Sequence, residues 1–60
     1  MMTVMHLDGT EYKIERRGNG RWFDTYFVYV NNHYFRVLAT NPAEAVSKAR
    51  KEYTRRILAH

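Results

Sequence analysis

The sequence contains no cysteine, a single proline and only three glycines in 60 residues. Without cysteine there can be no disulfide, no thiolate metal site and no cysteine nucleophile, and the chain suits a reducing compartment. No apolar run approaches the ~18 residues that a membrane-crossing helix needs. The stretch from Met1 to Leu7 also lacks the charged-then-apolar layout of a signal peptide. These absences predict a cytoplasmic protein that engages no membrane. The length predicts one domain spanning 1–60. A chain this short buries only about 60% of its unfolded surface, so its core is marginal.

Catalytic patterns are missing as well. His6, His33 and His60 fall at no helical or hairpin spacing that would pair them on a metal. No serine-centred elbow, phosphate loop or dinucleotide fingerprint occurs, and Gly18-Asn19-Gly20 is too short and sits between strands rather than before a helix. The sequence therefore predicts no catalytic residue, no metal ligand and no cofactor. It points away from an enzyme and toward a binding module.

What is present is positive charge, turn residues and aromatics. The net charge is +4. Residues 1–40 carry five cations (Lys13, Arg16, Arg17, Arg21, Arg36) against four anions (Asp8, Glu11, Glu15, Asp24), a net of +1. Residues 41–60 carry five cations (Lys48, Arg50, Lys51, Arg55, Arg56) against Glu44 and Glu52, a net of +3. A basic surface attracts nucleic acid, acidic proteins or anionic lipid; the plainer reading is solubility of a small domain.

Turn signals divide the chain. Asp8-Gly9 and Asn31-Asn32 are residue types that tolerate positive φ in tight hairpins, and Gly18-Asn19-Gly20 is a further flexible turn. Between them lie Thr3–Leu7, Thr10–Arg17, Arg21–Val30 and His33–Ala39, rich in β-branched and aromatic residues and read as strands. A helix follows. Asn41 supplies a cap, Pro42 suits the first helical position, and Glu44 completes an Asn-x-x-Glu box. Ala43, Val46, Ala49, Tyr53 and Ile57 recur at helical spacing as one apolar stripe, running to about Ile57. Glu44–Lys48 and Glu52–Arg56 are i,i+4 pairs, and Lys48, Lys51 and Arg55 form a basic cluster opposite the stripe. The expected fold is α+β: an antiparallel sheet of three or four strands packed by one C-terminal amphipathic helix, in the order ββββα.

A two-residue loop at Asn31-Asn32 fixes a register. Val30 then opposes His33, Val28 opposes Phe35, and Tyr26 opposes Val37. One face carries Trp22, Tyr26, Val28, Val30, Phe35 and Val37; the other carries Phe23, Phe27, Tyr29, Tyr34, Arg36 and Leu38. One helix covers one face, and the aliphatic first face is the expected core. The second would be an open aromatic surface available for stacking bases, for a protein interface or for self-association. Two arrangements would remove it: the Asp8-Gly9 hairpin folded over it, or the faces exchanged with Trp22 exposed.

Arg16, Arg17 and Arg21 flank the Gly-Asn-Gly turn, where arginines can clamp phosphates. The run Arg17-Gly18-Asn19-Gly20-Arg21-Trp22, two strands, and Ala39-Thr40-Asn41-Pro42-Ala43-Glu44-Ala45 with Ala49 resemble the pattern of AP2-type and integrase arm-binding domains over roughly residues 12–56. That resemblance implies a three-stranded sheet followed by a helix, with DNA read by the sheet, and it places Arg17, Arg21 and Trp22 at positions of interest. This chain departs from it in lacking the glycine before Thr40 and in adding an N-terminal strand. Tyr34-Phe35-Arg36-Val37-Leu38-Ala39-Thr40 with Glu44-Ala45 and Tyr53 is also similar to small phage proteins that bind and inhibit host enzymes, inhibitors of bacterial RNA polymerase among them. That second resemblance implies a host surface blocked through an exposed strand or aromatic patch.

The sequence thus leads to a non-enzymatic binding module of phage or mobile-element type. Its expected binding residues are Arg16, Arg17, Arg21, Phe27, Tyr29, Tyr34 and Arg36. Its expected partner is nucleic acid or an acidic host protein, met in the host cytoplasm if the chain is phage-encoded, with a homodimer as a further arrangement.

Overall fold

In the computed structural model, which describes residues 2–18 and 22–58, four strands are followed by a helix. They are β1 (Met2–Leu7), β2 (Thr10–Arg17), β3 (Asp24–Val30), β4 (His33–Ala39) and α1 (Pro42–Tyr53), which runs on into a π-helical turn at Thr54–Leu58. The strands form one antiparallel sheet in the order β1-β2-β3-β4, with α1 packed against it. The ββββα fold expected from the sequence is therefore the fold observed, with four strands.

Two hairpins are tied by primed turns. Asp8 and Gly9 have φ of 53° and 77°, and Asn31 and Asn32 have φ of 46° and 67°. Positive φ at both central residues matches the twist of the flanking strands, which is why these dipeptides stand there. The β3–β4 register is the expected one: Val30 opposes His33, Val28 opposes Phe35, and Tyr26 opposes Val37. On the other side of β3, Ile14 opposes Val28 and Arg16 opposes Tyr26.

The core lies between the sheet and α1. It consists of Tyr12, Ile14, Tyr26, Val28, Val30, Phe35, Val37 and Ala39 from the strands and Ala45, Val46 and Ala49 from the helix. Full burial of a side chain such as Ile14 or Val28 contributes on the order of 1.5–3 kcal/mol. Ala45 and Ala49 are small enough to let the helix sit close to the sheet.

Three positions differ from the sequence reading. Trp22 does not join the core face: it precedes β3 and is 78% exposed, and Phe23 beside it is 50% exposed. The alternation that assigned Trp22 a face ends at Asp24, where pairing begins. Ala43 is exposed and Ala45 takes its place in the stripe. With about 100° per residue, Ala43 stands roughly a quarter-turn away from the seam set by Val46, Ala49 and Tyr53. Ile57 is 38% exposed, because the π turn that carries it lies against α1 but against none of the strands, so the sheet gives it no cover.

The helix start follows the sequence closely. Asn41 Oδ1 accepts from the Glu44 N–H at 2.8 Å. The Glu44 carboxylate reaches back one residue further than a simple box, accepting from the Thr40 N–H at 3.0 Å and facing the Thr40 hydroxyl at 3.3 Å. The Thr40 N–H, with Lys48 nearby, holds the Glu44 carboxyl below its ordinary pKa. Both expected i,i+4 pairs form, Glu44–Lys48 at 3.6 Å and Glu52–Arg56 at 2.8 Å. Lys48 does more than pair: its Nζ donates to the Leu38 carbonyl at 2.6 Å, bridging α1 to the outer edge of β4. Among the described residues no helix is long and apolar enough to cross a membrane.

Candidate functional site

Among the described residues, no element covers the face of the sheet turned away from α1. β1 does not fold across it but extends the sheet sideways, pairing with β2 from Met2↔Glu15 to Leu7↔Thr10. The registers arrange this face in rows. Val4, Lys13, Tyr29 and Tyr34 form one row across all four strands, and Met2, Glu15, Phe27 and Arg36 form the next. Arg17, Thr25 and Leu38 form a third.

Three aromatic rings meet at its centre. Tyr29 and Tyr34, directly opposed, have ring centroids 5.9 Å apart. Phe27 and Tyr34, on the diagonal, are 6.2 Å apart. Tyr34 is 64% exposed and Leu38 58% exposed, so the rings offer flat surface to the solvent rather than closing into a second core. Such separations and tilted planes are ordinary for aromatic pairs.

Cations ring the aromatics. The Arg17 guanidinium carbon lies 5.8 Å from the Phe27 ring centre, within cation–π range. Arg17 Nε also meets Glu15 Oε1 at 2.6 Å, and this carboxylate raises the guanidinium pKa above its already high value. Arg36 stands opposite Phe27 and joins none of the ion pairs among the described residues. Lys13, 4.0 Å from Glu11, completes the set.

The structure brings together five of the seven expected binding residues: Arg17, Phe27, Tyr29, Tyr34 and Arg36. Arg16 lies apart. As the strand neighbour of Arg17 it points to the opposite face, where its Nε is 3.0 Å from Asp24 Oδ2. Successive strand side chains alternate sides, so Arg16 and Arg17 cannot grip one phosphate from one face. Arg21, with the Asn19-Gly20 portion of its turn, lies outside the described residues.

Lys13 is a residue that the sequence reading missed. Its place beside Tyr29 depends on the β2–β3 register, which the six-residue connection from Gly18 to Phe23 does not reveal. Beyond the rim formed by β4 runs a second basic feature. An open groove of about 630 Å³ between β4 and α1 is lined by Arg36 and Leu38 from the strand, by Lys48, Lys51 and Glu52 from the helix and by Arg56 from its π turn, among others.

Chemically, the site has flat π surface, guanidinium and ammonium donors, and aliphatic flanks. Among the described residues no group of three or more His, Cys, Asp or Glu side chains is placed to hold a metal ion. Comparison with known proteins adds no relative: no protein family, curated protein or solved structure matches this chain.

Proposed function

We propose that this chain is a non-enzymatic binding module that takes single-stranded nucleic acid on the open sheet face. The observation that carries the reading is the Phe27–Tyr29–Tyr34 cluster with Arg17, Arg36 and Lys13 around it. Aromatic platforms bordered by cations suit unpaired bases, because every base has a π face and stacking contributes about 1–3 kcal/mol per base. In this reading Tyr29, Tyr34 and Phe27 stack bases, while Arg17, Arg36 and Lys13 meet phosphates. The separation of Arg16 from Arg17 favours this over a clamp on duplex DNA by the β2–β3 loop. A phage or mobile-element setting, in the host cytoplasm, is the context that the resemblances suggest.

A second reading has its own observation. Met2 and Val4 are each 49% exposed, Leu38 is 58% exposed, and the carboxylates of Glu11 and Glu15 share the face. Aliphatic groups and mixed charge suit a protein surface, and the face would then block a host protein by docking on it, with Tyr34 and Arg36 as anchors.

Fluorescence anisotropy with labelled single strands and duplexes, titrated across salt, decides between them. The nucleic-acid reading expects binding to single strands that weakens with salt. Three phosphate contacts would give a log–log slope of about −2. Absence of binding to single-stranded DNA and RNA at low salt would overturn it and leave the protein-docking reading.

A further inference from the structure

The two edges of the sheet are unlike, and the difference assigns one of them a partner. In a two-residue hairpin the residues flanking the loop exchange both backbone hydrogen bonds, and such pairs alternate along the ladder with open ones. Counting from Val30↔His33, the backbone groups of Tyr34, Arg36 and Leu38 point away from β3. The Lys48 ammonium on the Leu38 carbonyl, at 2.6 Å, agrees with this count. The β4 edge is thus partly occupied by Lys48, has at its middle Arg36, which joins no ion pair among the described residues, and is bordered by Lys51 and by Arg56, which is paired with Glu52. Two copies pairing antiparallel about Arg36 would set one guanidinium against the other.

The β1 edge has none of these guards. Its six residues, Met-Thr-Val-Met-His-Leu, include no Lys, Arg, Asp, Glu or Pro, the residue types that ordinarily blunt an exposed edge. Counting from Leu7↔Thr10, the backbone N–H and C=O groups of Met2, Val4 and His6 point away from β2. α1 packs on β2, β3 and β4 without extending over β1. Apolar side chains of β1 are therefore open on both sides of the sheet: Val4 is 49% exposed on one and Leu7 is 38% exposed on the other.

We infer that β1 pairs antiparallel with β1 of a second copy, about a two-fold axis at Val4. In this register Val4 opposes Val4, Met2 opposes His6, and Thr3 opposes Met5, so no formal charge faces another and the contact is self-complementary. The outward backbone groups of Met2, Val4 and His6 are satisfied in both copies. The two four-stranded sheets become one of eight strands, with both helices on one side and both open aromatic faces on the other. Sharing a sheet also suits a chain whose own core is small. The inference stands on the β1 edge alone and is independent of any nucleic-acid ligand.

Sedimentation equilibrium over a wide concentration range, without nucleic acid, reads the mass, and hydrogen exchange reads the edge. The wild type should shift from monomer to doubled mass as concentration rises. Amide exchange at Val4 and His6 should slow with that shift, whereas Thr3 and Met5, bonded to β2, are protected throughout. Val4→Lys places like charges opposite each other and should stay monomeric, with Thr3 and Met5 still protected. A wild type monomeric at every concentration overturns the inference, as does a dimer that persists in folded V4K or one that protects the Arg36 amide instead. If V4K does not fold, the wild-type pattern decides alone: a dimer with unchanged exchange at Val4 and His6 is a dimer formed elsewhere.

Discussion

Asn31 Nδ2 donates to Tyr53 Oη at 3.3 Å, tying the turn between β3 and β4 to the last residue of α1. The Tyr53 ring also lies 5.7 Å from His33 and, edge-on, 6.4 Å from Phe35. One half-buried side chain thus fixes the far end of the helix on the sheet. Tyr53→Phe removes only the exposed hydrogen bond and should cost about 0.5 kcal/mol. Tyr53→Ala also removes the ring and should cost about 2 kcal/mol. Urea denaturation of the two variants separates the contributions; equal losses would mean that the hydroxyl, not the ring, is the anchor.

Val46 is 2% exposed at the centre of the helix–sheet seam. Val46→Asp would put a carboxylate there with no cation built to receive it, a cost of several kcal/mol in a protein with little stability to spare. The circular dichroism spectrum should be that of an unfolded chain at room temperature. Ala43→Asp, one turn earlier on the exposed side, should leave the melt almost unchanged.

Glu44 and Glu52 both titrate below the ordinary carboxylate range. The Thr40 N–H is the main cause for Glu44 and the Arg55 guanidinium for Glu52. A carboxyl whose folded pKa is depressed contributes stability that is present above its unfolded pKa, about 4.3. That contribution is lost as pH falls through the folded value. Helix stability should therefore decline on acidification below about pH 4.3. Glu44→Gln should flatten part of that decline, as read by thermal melts across an acid series. A melt of E44Q that falls with acid as steeply as the wild type would show that the cap carboxylate has no part in it.

Much of this fold was legible because the hairpin loops are short. Asn31-Asn32 and Asp8-Gly9 each fix a register once the loop is taken as two residues, and every facing pair in β3–β4 follows. The helix start was legible because Asn41, Pro42 and Glu44 each serve one backbone requirement. What escaped has physical causes. Alternation does not say where a strand begins, so it extends the core face to Trp22, which precedes the first paired residue of β3. Alanine appears at residues 43, 45 and 49, and apolarity alone did not pick the two that face the sheet. Arg16 and Arg17 adjoin in sequence and so read as one cluster, although a strand sends them to opposite sides. Lys13 has no visible neighbour in the sequence, because a longer loop hides the β2–β3 register that sets it opposite Tyr29.

The aromatic face yields the prediction that most directly separates binding from architecture. Tyr34 is 64% exposed and Tyr29 is 38% exposed, and neither belongs to the buried core. Truncating them opens no enclosed cavity, so the large penalty of a core deletion does not apply. What is lost is the Tyr29–Tyr34 and Phe27–Tyr34 ring contacts, about 0.5–1.5 kcal/mol for such pairs. The double variant Tyr29→Ala and Tyr34→Ala should therefore melt cooperatively with a modestly lowered midpoint. Its affinity for single-stranded nucleic acid should fall by about 2 kcal/mol or more, since two stacking surfaces are gone. The salt slope should stay near that of the wild type, because Arg17, Arg36 and Lys13 remain. Arg36→Ala should do the reverse, reducing the slope by about 0.7 for one lost phosphate contact while leaving the rings in place. If the double variant instead loses most of its stability and binds normally per folded molecule, the open face is structural, and the search for a binding surface moves to exposed Trp22 and the basic groove along β4.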